Sequence, residues 1–522
     1  MSQKRLIVVL GDQLDRRGPL LRDLDARQDE VWMAEAPGEA RRGWNHQQRL
    51  VLFFSAMRHL RDELREAGVT VHYRRIDESP GSGTAAEPGP GLAELLAEDL
   101  ARLTPRRVAM METGHWQVEQ DCLAAIKAAS VPLDWFEDDH FLASRGDFAS
   151  WAEGRKSLTL EYFYRNMRKR YDVLMEGGKP AGGAWNFDRD NRQAFGAEGP
   201  GDLPRHPVFS PDPLTCEVIE TVRALFPDHP GDAREFDQPV TPEQAGAALS
   251  DFITHRLSHF GSHQDAIWTG EPLLYHARLS AALNLHLLNP RDCIAAAEQA
   301  WQDQRAPINA VEGFVRQVLG WREFVRGVYW FSMPEYAHGN ALAHHEALPS
   351  FFWDGDTDMV CVADAMQGLL RHGYAHHIQR LMVLGLFAQL YGTNPYRFHE
   401  WHLAMYLDAV DWVSLPNALG MSQYGDGGVV GTKPYCASGA YIHRMSNACG
   451  QCRYNPRQAT GEGACPFTTL YWDFLDRHES RLGDNRRLQF QFKNLERKTP
   501  AERQAIREQA AALRNRLAGE AH

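Results

Sequence analysis

Four cysteines in the C-terminal half most strongly constrain what this 522-residue chain can fold into. Cys361 stands alone, Cys449 and Cys452 form a C-x2-C pair, and Cys465, followed by Pro466, comes after twelve intervening residues. Four thiolates are more than a redox pair needs, and soft sulfur suits zinc and iron-sulfur centres. Structural zinc more often uses two close pairs, whereas three clustered cysteines with a distant fourth favour [4Fe-4S]. Four unconnected core thiols are the remaining possibility.

Length and composition indicate a globular protein with two or more domains. The chain has 43% hydrophobic residues, and no apolar run approaches the roughly 18 residues of a membrane-spanning helix. The apolar run 5–10 is too short for a signal peptide. Together with a cysteine group that resembles a metal site, this predicts that the protein works in a reducing cytosol. The net charge of -12 argues against indiscriminate coating of nucleic acid, but it allows a local basic groove. The other cysteines, predicted to be core residues, are Cys122, Cys216, Cys293 and Cys436.

The N-terminal part alternates short apolar runs with helical patterns. The runs are 5–10, 31–34, 69–76, 108–111 and 131–136, and the clearest helical pattern spans 50–67. This alternation predicts a doubly wound parallel sheet with a ligand crevice at the carboxyl ends of its strands. Asp12 and Glu39 lie on loops expected near that crevice. No GxGxxG follows the first run, so a dinucleotide is not expected there, and the Pro/Gly-rich stretch 80–91 is predicted to be a flexible surface loop.

The pattern becomes helical after two connectors rich in Gly and Pro. These connectors lie at 177–183 and 200–213. We therefore predict an α/β domain over 1–140, a connector region over 141–250 and a mainly α-helical domain over 251–522. Helix-length segments are predicted near 272–288, 308–332, 358–391 and 398–413.

Four stretches of the helical domain concentrate unusual chemistry. Arg278 and Ser280 could hold phosphate through charge and hydroxyl groups, although a capped helix with a surface Arg would look the same. Gln317 and Trp321 offer a hydrogen-bonding amide beside a stacking plate, or a core Trp on an amphipathic helix. The third stretch is 373–381 and the fourth is the polar segment 411–441.

The third stretch contains a pair of histidines followed by an arginine. On a continuous helix, His377 and Arg380 share one stripe, so His377 faces inward and His376 points elsewhere. A lone inward His is usually a satisfied core group. The fourth stretch carries Asp411 and Asn417 and leads into the cysteine group.

Taken together, these stretches resemble the photolyase/cryptochrome family. The resemblance covers essentially the whole chain and is to the iron-sulfur bacterial branch, which looks like prokaryotic (6-4) photolyases and related cryptochromes. The matching motifs are GDQL at 11–14, FSAMRH at 54–59, HARLSAALN at 276–284, GWREF at 320–324, GYAHHIQRL at 373–381, LPNALGMSQ at 415–423 and GTKPY at 431–435, with the four cysteines.

The resemblance implies a photolyase/cryptochrome fold. It consists of an N-terminal α/β Rossmann-like antenna domain and a mainly α-helical C-terminal FAD-binding domain with a [4Fe-4S] cluster, for which Cys361, Cys449, Cys452 and Cys465 would be the ligands. The FAD contacts implied by position are Arg278, Leu279, Ser280, Asn284, Gln317, Trp321, Arg322, Arg380, Asp411 and Asn417. Asp411 matches one acid of a paired-acid motif whose second acid is not evident.

The activity implied is light-driven repair of (6-4) pyrimidine-pyrimidone photoproducts in UV-damaged DNA by electron transfer from excited FADH⁻. His377 would donate a proton, and Tyr435 and Tyr441 would be its polar neighbours. Leu381 stands where eukaryotic (6-4) enzymes carry a second His, so a single-His mechanism is expected. A blue-light photoreceptor without repair activity and an enzyme that repairs cyclobutane dimers are the alternatives. The protein is expected to be a monomer.

Two further assignments come from the same resemblance. Trp353 and Trp401 match electron-relay positions, although core packing is their ordinary role, and His402 stands where this branch more usually has an aromatic residue. Asp12 and Glu39 match the antenna pocket of proteins that bind 6,7-dimethyl-8-ribityllumazine.

Overall fold

The structure, a computed structural model, describes residues 4–78 and 89–519. Most of the Pro/Gly-rich stretch 80–91, predicted to be a loop, lies outside these residues. The N-terminal part contains a five-stranded sheet in the order β3-β2-β1-β4-β5, and its strand pairs are all parallel. The strands are β1 Arg5–Val8, β2 Asp29–Ala34, β3 Thr70–Arg74, β4 Arg107–Met111 and β5 Leu133–Phe136. The predicted doubly wound sheet is confirmed.

The two faces of the sheet belong to two different cores. Ile7 and Val31 pack into a large core that continues through the helical part. Their chain neighbours Val8 and Trp32 pack into a smaller core. Because successive side chains of a strand point to opposite faces, a continuous apolar run supplies both cores at once.

Helices cover both faces of the sheet and lead into the connector region. They are α1 Pro37–Arg41, α2 Gln47–Glu66, α3 Leu92–Leu103, α4 Trp116–Ala128, α5 Arg145–Ala152, α6 Leu160–Tyr171 and α7 Pro213–Leu225. Residues of α3 and α4 close the smaller core, and α2 lies on the larger one. A small antiparallel pair, β6 Met175–Glu176 and β7 Lys179–Pro180, follows α6. Short 3-10 turns occupy Ile76–Glu78, Ala181–Gly183 and Ala233–Glu235.

The rest of the described chain is helical. The α-helices are α8 Pro242–His255, α9 Leu257–His263, α10 Ser280–Asn284, α11 Pro290–Gln302, α12 Ile308–Val315, α13 Arg322–Ser332, α14 Phe351–Asp354, α15 Val360–His372, α16 His377–Gln379, α17 Leu386–Tyr391, α18 Pro395–Met405, α19 Asp411–Leu415, α20 Gly439–Met445, α21 Pro466–Arg477, α22 Glu479–Leu482, α23 Gln489–Glu496 and α24 Pro500–Ala518. The π-helical turns are π1 Arg316–Trp321, π2 Arg380–Gly385 and π3 Pro416–Ser422. Further 3-10 turns are Glu335–His338 and Ala448–Gly450.

Three of the four predicted helix-length segments are not single helices. The segment 272–288 contains only the short α10, 358–391 is interrupted after α15, and 398–413 is interrupted between the end of α18 and the start of α19. The interruption after α15 falls at Gly373, which has a φ of 56° and ends α15 with a hydrogen bond from its N–H to the carbonyl of Leu369. A Cβ at Gly373 would overlap the side chain of Leu407, so packing as well as backbone conformation requires glycine here.

The division of the chain into domains at 140 and 250 stays a prediction. Among the helices of residues 4–78 and 89–519, none combines the length and apolarity needed to cross a bilayer.

Candidate active site

A cavity of about 720 Å³ lies within the helical part and is called here the helical cavity. Its wall is formed by the start of α10, by π1, π2 and π3, and by the segments between them. The residues singled out in the sequence that line it are Arg278, Leu279, Ser280, Asn284, Gln317, Trp321, Arg322, His377, Arg380, Asn417 and Tyr435. Its volume and its mixed polar and apolar wall are typical of a ligand site.

The three π-helical turns all contribute to this wall. Gln317 comes from π1, Arg380 from π2 and Asn417 from π3. π2 and π3 approach each other so closely that a Cβ on Gly385 would overlap the hydroxyl of Ser422. A π-turn widens a helix locally and is frequent at functional sites. The spacing of apolar residues does not reveal such turns, so the sequence analysis missed them.

Arg380 is held at the wall by a carboxylate that the sequence analysis also missed. Its Nη1 lies 2.9 Å from Oδ1 of Asp408, and the Ser280 hydroxyl donates to Oδ2 of the same carboxylate at 2.6 Å. Burial would raise the pKa of Asp408, but the charge and hydrogen bonds of Arg380, with Ser280, hold it below its usual range. Asp408 therefore carries a full negative charge inside the cavity wall.

Asp411, predicted to contact FAD, is not on this wall. Its carboxylate lies 3.0 Å from Nε2 of His399 and accepts a hydrogen bond from Tyr329, and it lines a different cavity. The acid on the wall of the helical cavity is Asp408, three residues earlier, so the expected position of Asp411 there is corrected. The sequence contained the signal, because Asp408 and Asp411 form a D-x-x-D pair, whereas only Asp411 was singled out.

Six arginines and four acidic residues line the helical cavity, which leaves its wall a modest excess of positive charge. Arg278 has a φ of 52°, the left-handed region that non-glycine residues rarely adopt, and it pairs with Asp237 at 3.0 Å. Arg322 is buried, and its Nε and Nη2 atoms have no hydrogen-bond partner within the described residues. Burial lowers the pKa of Arg322 to about 10, which leaves it charged at neutral pH. A charged guanidinium at the wall of a cavity favours an anionic group nearby.

His377 begins α16 and is open to the helical cavity. Its pKa is nevertheless lowered to about 4, first because protein surrounds the cavity into which the ring opens and desolvates the charged form, and then because of the positive charge of Arg380. Its neighbour His376 is the buried one, only 1% exposed, and stacks on His276 with ring centroids 4.5 Å apart. The predicted helical stripe through 370–384 is therefore wrong, because α15 ends before the histidines.

The two tyrosines predicted beside His377 are separated by the structure. Tyr435 lines the helical cavity together with His377. Tyr441 is not among the described residues of this wall, and Arg444 lies over its ring at 5.3 Å. In the described residues, neither tyrosine is hydrogen-bonded to His377. The expectation that Tyr441 is a direct neighbour of the proton donor is corrected.

A second cavity, of about 1110 Å³, lies where the sheet meets the helical part. We call it the sheet-edge cavity, because the ends of β1, β2 and β4 contribute Leu10, Ala34 and Thr113 to its wall. Asp12 and Glu39, predicted to lie near this edge, both line it. Burial raises the pKa of Asp12 to about 6 and is also the main cause of the raised pKa of Glu39.

The two predicted relay tryptophans also line the sheet-edge cavity. Trp401 is 1% exposed, and its indole N–H donates to the carbonyl of Phe352 at 2.7 Å. Its ring centroid lies 5.4 Å from that of Phe398, which lines the helical cavity. Trp353 packs edge-on against Trp44 with centroids 5.6 Å apart. Aromatic contacts thus lead from the helical cavity to Trp401.

The four cysteines of the C-terminal half surround one small apolar cavity. Cys361 comes from α15, Cys449 and Cys452 from the 3-10 turn and the loop after it, and Cys465 from the residue before α21. Burial and the neighbouring thiols raise the pKa of Cys361 far above its usual range. Within residues 4–78 and 89–519, no three His, Cys, Asp or Glu side chains have the spacing needed to hold a single metal ion. Whether the shared cavity holds a cluster stays a prediction.

The remaining cysteines do not all lie in the core. Cys122 and Cys293 are buried as predicted, Cys436 is half-buried, and Cys216 is exposed on α7. The prediction is wrong for Cys216, because its position falls on the solvent side of an amphipathic helix whose buried residues include Val218 and Val222.

Comparison with known proteins identifies the family. A curated protein named (6-4) photolyase, from Agrobacterium fabrum, is 44% identical over 519 residues, covering 99% of this chain and 100% of that protein. The chain belongs to the photolyase/cryptochrome family. A family model described as deoxyribodipyrimidine photo-lyase-related protein also matches residues 7–238. The family resemblance inferred from the sequence is confirmed.

Solved members of the family show the same fold. A bacterial class III photolyase from Agrobacterium tumefaciens superposes with a TM-score of 0.52 at 14% identity, covering 97% of this chain and 89% of the other. A cryptochrome from Synechocystis gives a TM-score of 0.52 at 13% identity, covering 98% and 99%. The photolyase/cryptochrome fold, with its parallel α/β sheet and helical C-terminal part, is thereby established.

Proposed function

We propose that the protein is a DNA photolyase that repairs (6-4) pyrimidine-pyrimidone photoproducts in UV-damaged DNA, with FAD bound in the helical cavity. The observation that carries this proposal is that His377, Tyr435, Arg380 and the predicted FAD contacts, apart from Asp411, line that one cavity. The full-length relative named (6-4) photolyase supports the choice of lesion.

The wall of the helical cavity suits FAD. Arg278 and Arg322 line the cavity and would offer positive charge to the phosphates, together with Leu279 and Ser280 on the same wall. The side-chain amides of Asn284, Gln317 and Asn417 would form hydrogen bonds with the other polar atoms of FAD. Trp321 would lie beside the flavin and the damaged base. When bound, reduced FAD supplies a light-driven electron to the lesion.

The role of His377 is to move a proton. In the structure its pKa of about 4 keeps it neutral at pH 7, because burial and Arg380 both disfavour a second positive charge. Proton donation therefore requires that the anionic substrate raise this pKa, so that the imidazole charges only when DNA is bound. Tyr435, on the same wall, would orient the imidazole. Leu381 leaves His377 as the single histidine for this step.

A damaged base pair must leave the duplex to reach a cavity in the protein interior. Extrusion costs least where bases are already damaged and poorly stacked. Selection of damage would thus rest on this lower cost of extrusion, despite the net charge of -12.

The four cysteines would bind a [4Fe-4S] cluster that ties α15 to the segment before α21. The thiols of Cys361, Cys449 and Cys465 are protonated in the absence of a cation, because burial raises their pKa values, that of Cys449 to about 12. Iron supplies the charge that makes four thiolates stable in an apolar cavity. The role we assign to the cluster is to contribute to folding.

The sheet-edge cavity would hold the antenna chromophore, 6,7-dimethyl-8-ribityllumazine, with Asp12 and Glu39 as polar contacts. Trp401 and Trp353 would carry electrons toward the flavin, by way of the aromatic contact of Trp401 with Phe398. A monomeric protein in a reducing cytosol remains our expectation.

The proposed function is tested by measuring repair of a (6-4) photoproduct directly. The purified protein is incubated under blue light with an oligonucleotide that contains one (6-4) photoproduct, and restored bases are followed by chromatography. An oligonucleotide with a cyclobutane dimer and a dark incubation are the matched controls. Loss of the (6-4) signal only in the light supports the proposal. Bound FAD without repair would favour a blue-light photoreceptor, and repair of the dimer alone would replace the proposed lesion.

A further inference from the structure

A row of buried polar side chains connects the helical cavity to the sheet-edge cavity. His402 lines the helical cavity, and its Nδ1 lies 2.9 Å from Oγ of Ser414. The same Oγ lies 3.2 Å from Nδ1 of His399. Nε2 of His399 lies 3.0 Å from Oδ1 of Asp411, and both residues line the sheet-edge cavity.

These groups are shielded from bulk solvent. Ser414 is 0% exposed and His399 2%, while Asp411 and His402 are 5% and 7% exposed. Tyr329 donates a hydrogen bond to the second oxygen of Asp411, and the backbone N–H of Trp116 donates to the Tyr329 hydroxyl at 2.8 Å. The row is therefore enclosed by protein, and hydrogen bonds hold Asp411 in place at its far end.

The hydrogen-bond donors and acceptors of these side chains allow one proton to pass along the row from His402 to Asp411. Ser414 has a single hydroxyl proton, so it donates to one imidazole and accepts from the other. In one arrangement, Nδ1–H of His402 donates to Ser414, Ser414 donates to Nδ1 of His399, and Nε2–H of His399 donates to Asp411. Nε2 of His402 is then the unprotonated atom, and in the described residues it has no hydrogen-bond partner.

A proton that arrives at Nε2 of His402 can then be passed along the row. His402 releases its Nδ1 proton to Ser414, Ser414 releases its own proton to Nδ1 of His399, and His399 becomes an imidazolium beside the Asp411 carboxylate. The O–H and N–H bonds broken equal those formed, and one positive charge has moved toward the sheet-edge cavity. The reverse sequence delivers a proton to the helical cavity.

The surrounding charges favour a proton at the Asp411 end of the row over one on His402. Burial would raise the pKa of Asp411, but His115, together with hydrogen bonds from His399 and Tyr329, holds it well below its usual range, so the carboxylate is charged. Burial first, and then the positive charge of Arg380, holds the pKa of His402 well below its usual range. His402 therefore carries a proton only in passage.

We propose that His402, Ser414, His399 and Asp411 form a proton relay that exchanges one proton between the helical cavity and the sheet-edge cavity. This inference rests on the proposed function, because the relay is assigned to the bound flavin, whose two-electron reduction takes up a proton. The sheet-edge cavity supplies the route to solvent, since the exposed Tyr396 is part of its wall.

The test measures proton uptake, which a purely structural hydrogen bond would not control. Oxidised holoprotein in weakly buffered solution is photoreduced with an external electron donor, and a pH-indicator dye follows proton uptake from the medium. In Ser414→Ala the relay is interrupted while both imidazoles remain. Proton uptake is expected to be at least about tenfold slower than in wild type, with the total number of protons unchanged.

Two further variants separate the relay from general damage to the core. Ser414→Thr keeps the hydroxyl and is expected to restore the wild-type rate. Ser55→Ala removes another 0% exposed serine hydroxyl, on α2, that has no hydrogen-bond partner and lines neither cavity. It is expected to leave the rate unchanged.

The outcomes are distinguishable. Wild-type proton uptake in Ser414→Ala that still binds flavin overturns the relay and leaves the photolyase proposal intact. Purified wild-type protein that cannot be loaded with flavin overturns both. Should Ser414→Ala not accumulate as folded protein, His399→Gln takes its place, and slowing of uptake there supports the relay, whereas an unchanged rate overturns it.

Discussion

Arg380 and Asp408 form an ion pair with Nη1 and Oδ1 2.9 Å apart, and their side chains are only 16% and 12% exposed. Because this ion pair is largely buried, it fixes the geometry of the wall of the helical cavity, in which we place FAD. Removing one partner leaves the other as an uncompensated charge in a low-dielectric environment.

Asp408→Asn is therefore expected to lower the free energy of unfolding by about 3 kcal/mol and to reduce the amount of flavin that copurifies. Chemical denaturation and the flavin-to-protein absorbance ratio measure the two effects. Asp303→Asn, which alters a surface ion pair with Arg305, is the control and should change neither. Full stability of Asp408→Asn would show that Arg380 does not depend on this carboxylate.

His377→Ala should abolish repair of (6-4) photoproducts while leaving photoreduction of FAD intact, because the residue moves a proton and does not carry the electron. The chromatographic repair assay and the visible spectrum under illumination report these separately. His255→Ala, on the exposed end of α8, is the matched control. Full repair by His377→Ala would remove the proposed mechanism.

Gly385→Ala should disturb the contact between π2 and π3, since the added Cβ would overlap the Ser422 hydroxyl and the Arg380 carbonyl. We expect loss of flavin retention and lower thermal stability. Gly246→Ala is the control in α8, where nothing lies within 4 Å of the added Cβ, and it should stabilise the protein by up to about 1 kcal/mol. Equal behaviour of the two variants would mean that the π-turns are not closely packed.

His46 makes the protein sensitive to acid. Its Nδ1 accepts the Gln48 N–H at 3.2 Å and caps α2, while its Nε2 donates to the Leu370 carbonyl at 2.9 Å, so only the neutral ring fits. Burial lowers its pKa to about 4, whereas the unfolded chain titrates near 6.5. Between these two pH values the unfolded state binds more protons than the folded state. The contribution of neutral His46 to the free energy of unfolding is therefore fully present above about pH 6.5 and is lost as the pH falls toward 4.

The loss from His46 should amount to about 2 kcal/mol at pH 5. His46→Gln is expected to flatten the dependence of unfolding free energy on pH between 7 and 5, although it lowers stability at pH 7. Denaturant titrations at several pH values measure this. The control is His443→Gln, at an exposed position of α20, and a slope unchanged by His46→Gln would contradict the assignment.

Cys452→Ala should yield protein that is depleted in iron and acid-labile sulfide and that accumulates poorly, because cluster binding contributes to folding. Iron and sulfide analysis, with yield after expression, checks this. Cys216→Ala removes an exposed thiol far from the cysteine cavity in sequence and should behave as wild type. Wild-type protein that folds in a rigorously iron-free preparation would contradict the role given to the cluster.

Much of the fold could be read from local patterns. The strand runs of the sheet were predicted within a few residues because a buried parallel strand is a continuous apolar run. The helix predicted over 50–67 begins at Gln47, since the cap is supplied by His46, which is not a common capping residue. The segment 272–288 was predicted as a helix, but its backbone includes left-handed residues at Leu274, Arg278 and His286. Apolar periodicity carries no information about such residues.

The candidate site likewise contains residues that the sequence predicted and residues that it did not. Its residue types and motifs pointed to Arg278, Gln317, His377 and the four cysteines, and the structure brings the first three to one cavity and the cysteines to another. Asp408, the π-turns and the Ser414 contacts were not anticipated. Each of them acts through a partner that is distant in the chain or through a local widening of a helix.

Residue identity and short-range spacing were enough to identify the family, the alternation of strands and helices, and the chemical groups available for a reaction. The tertiary structure was needed to show that Asp408 rather than Asp411 faces Arg380, that π-turns shape the cavity wall, and that two imidazoles share one serine hydroxyl. Those relationships depend on distances of about 3 Å between side chains, and the packing of separate helices sets such distances.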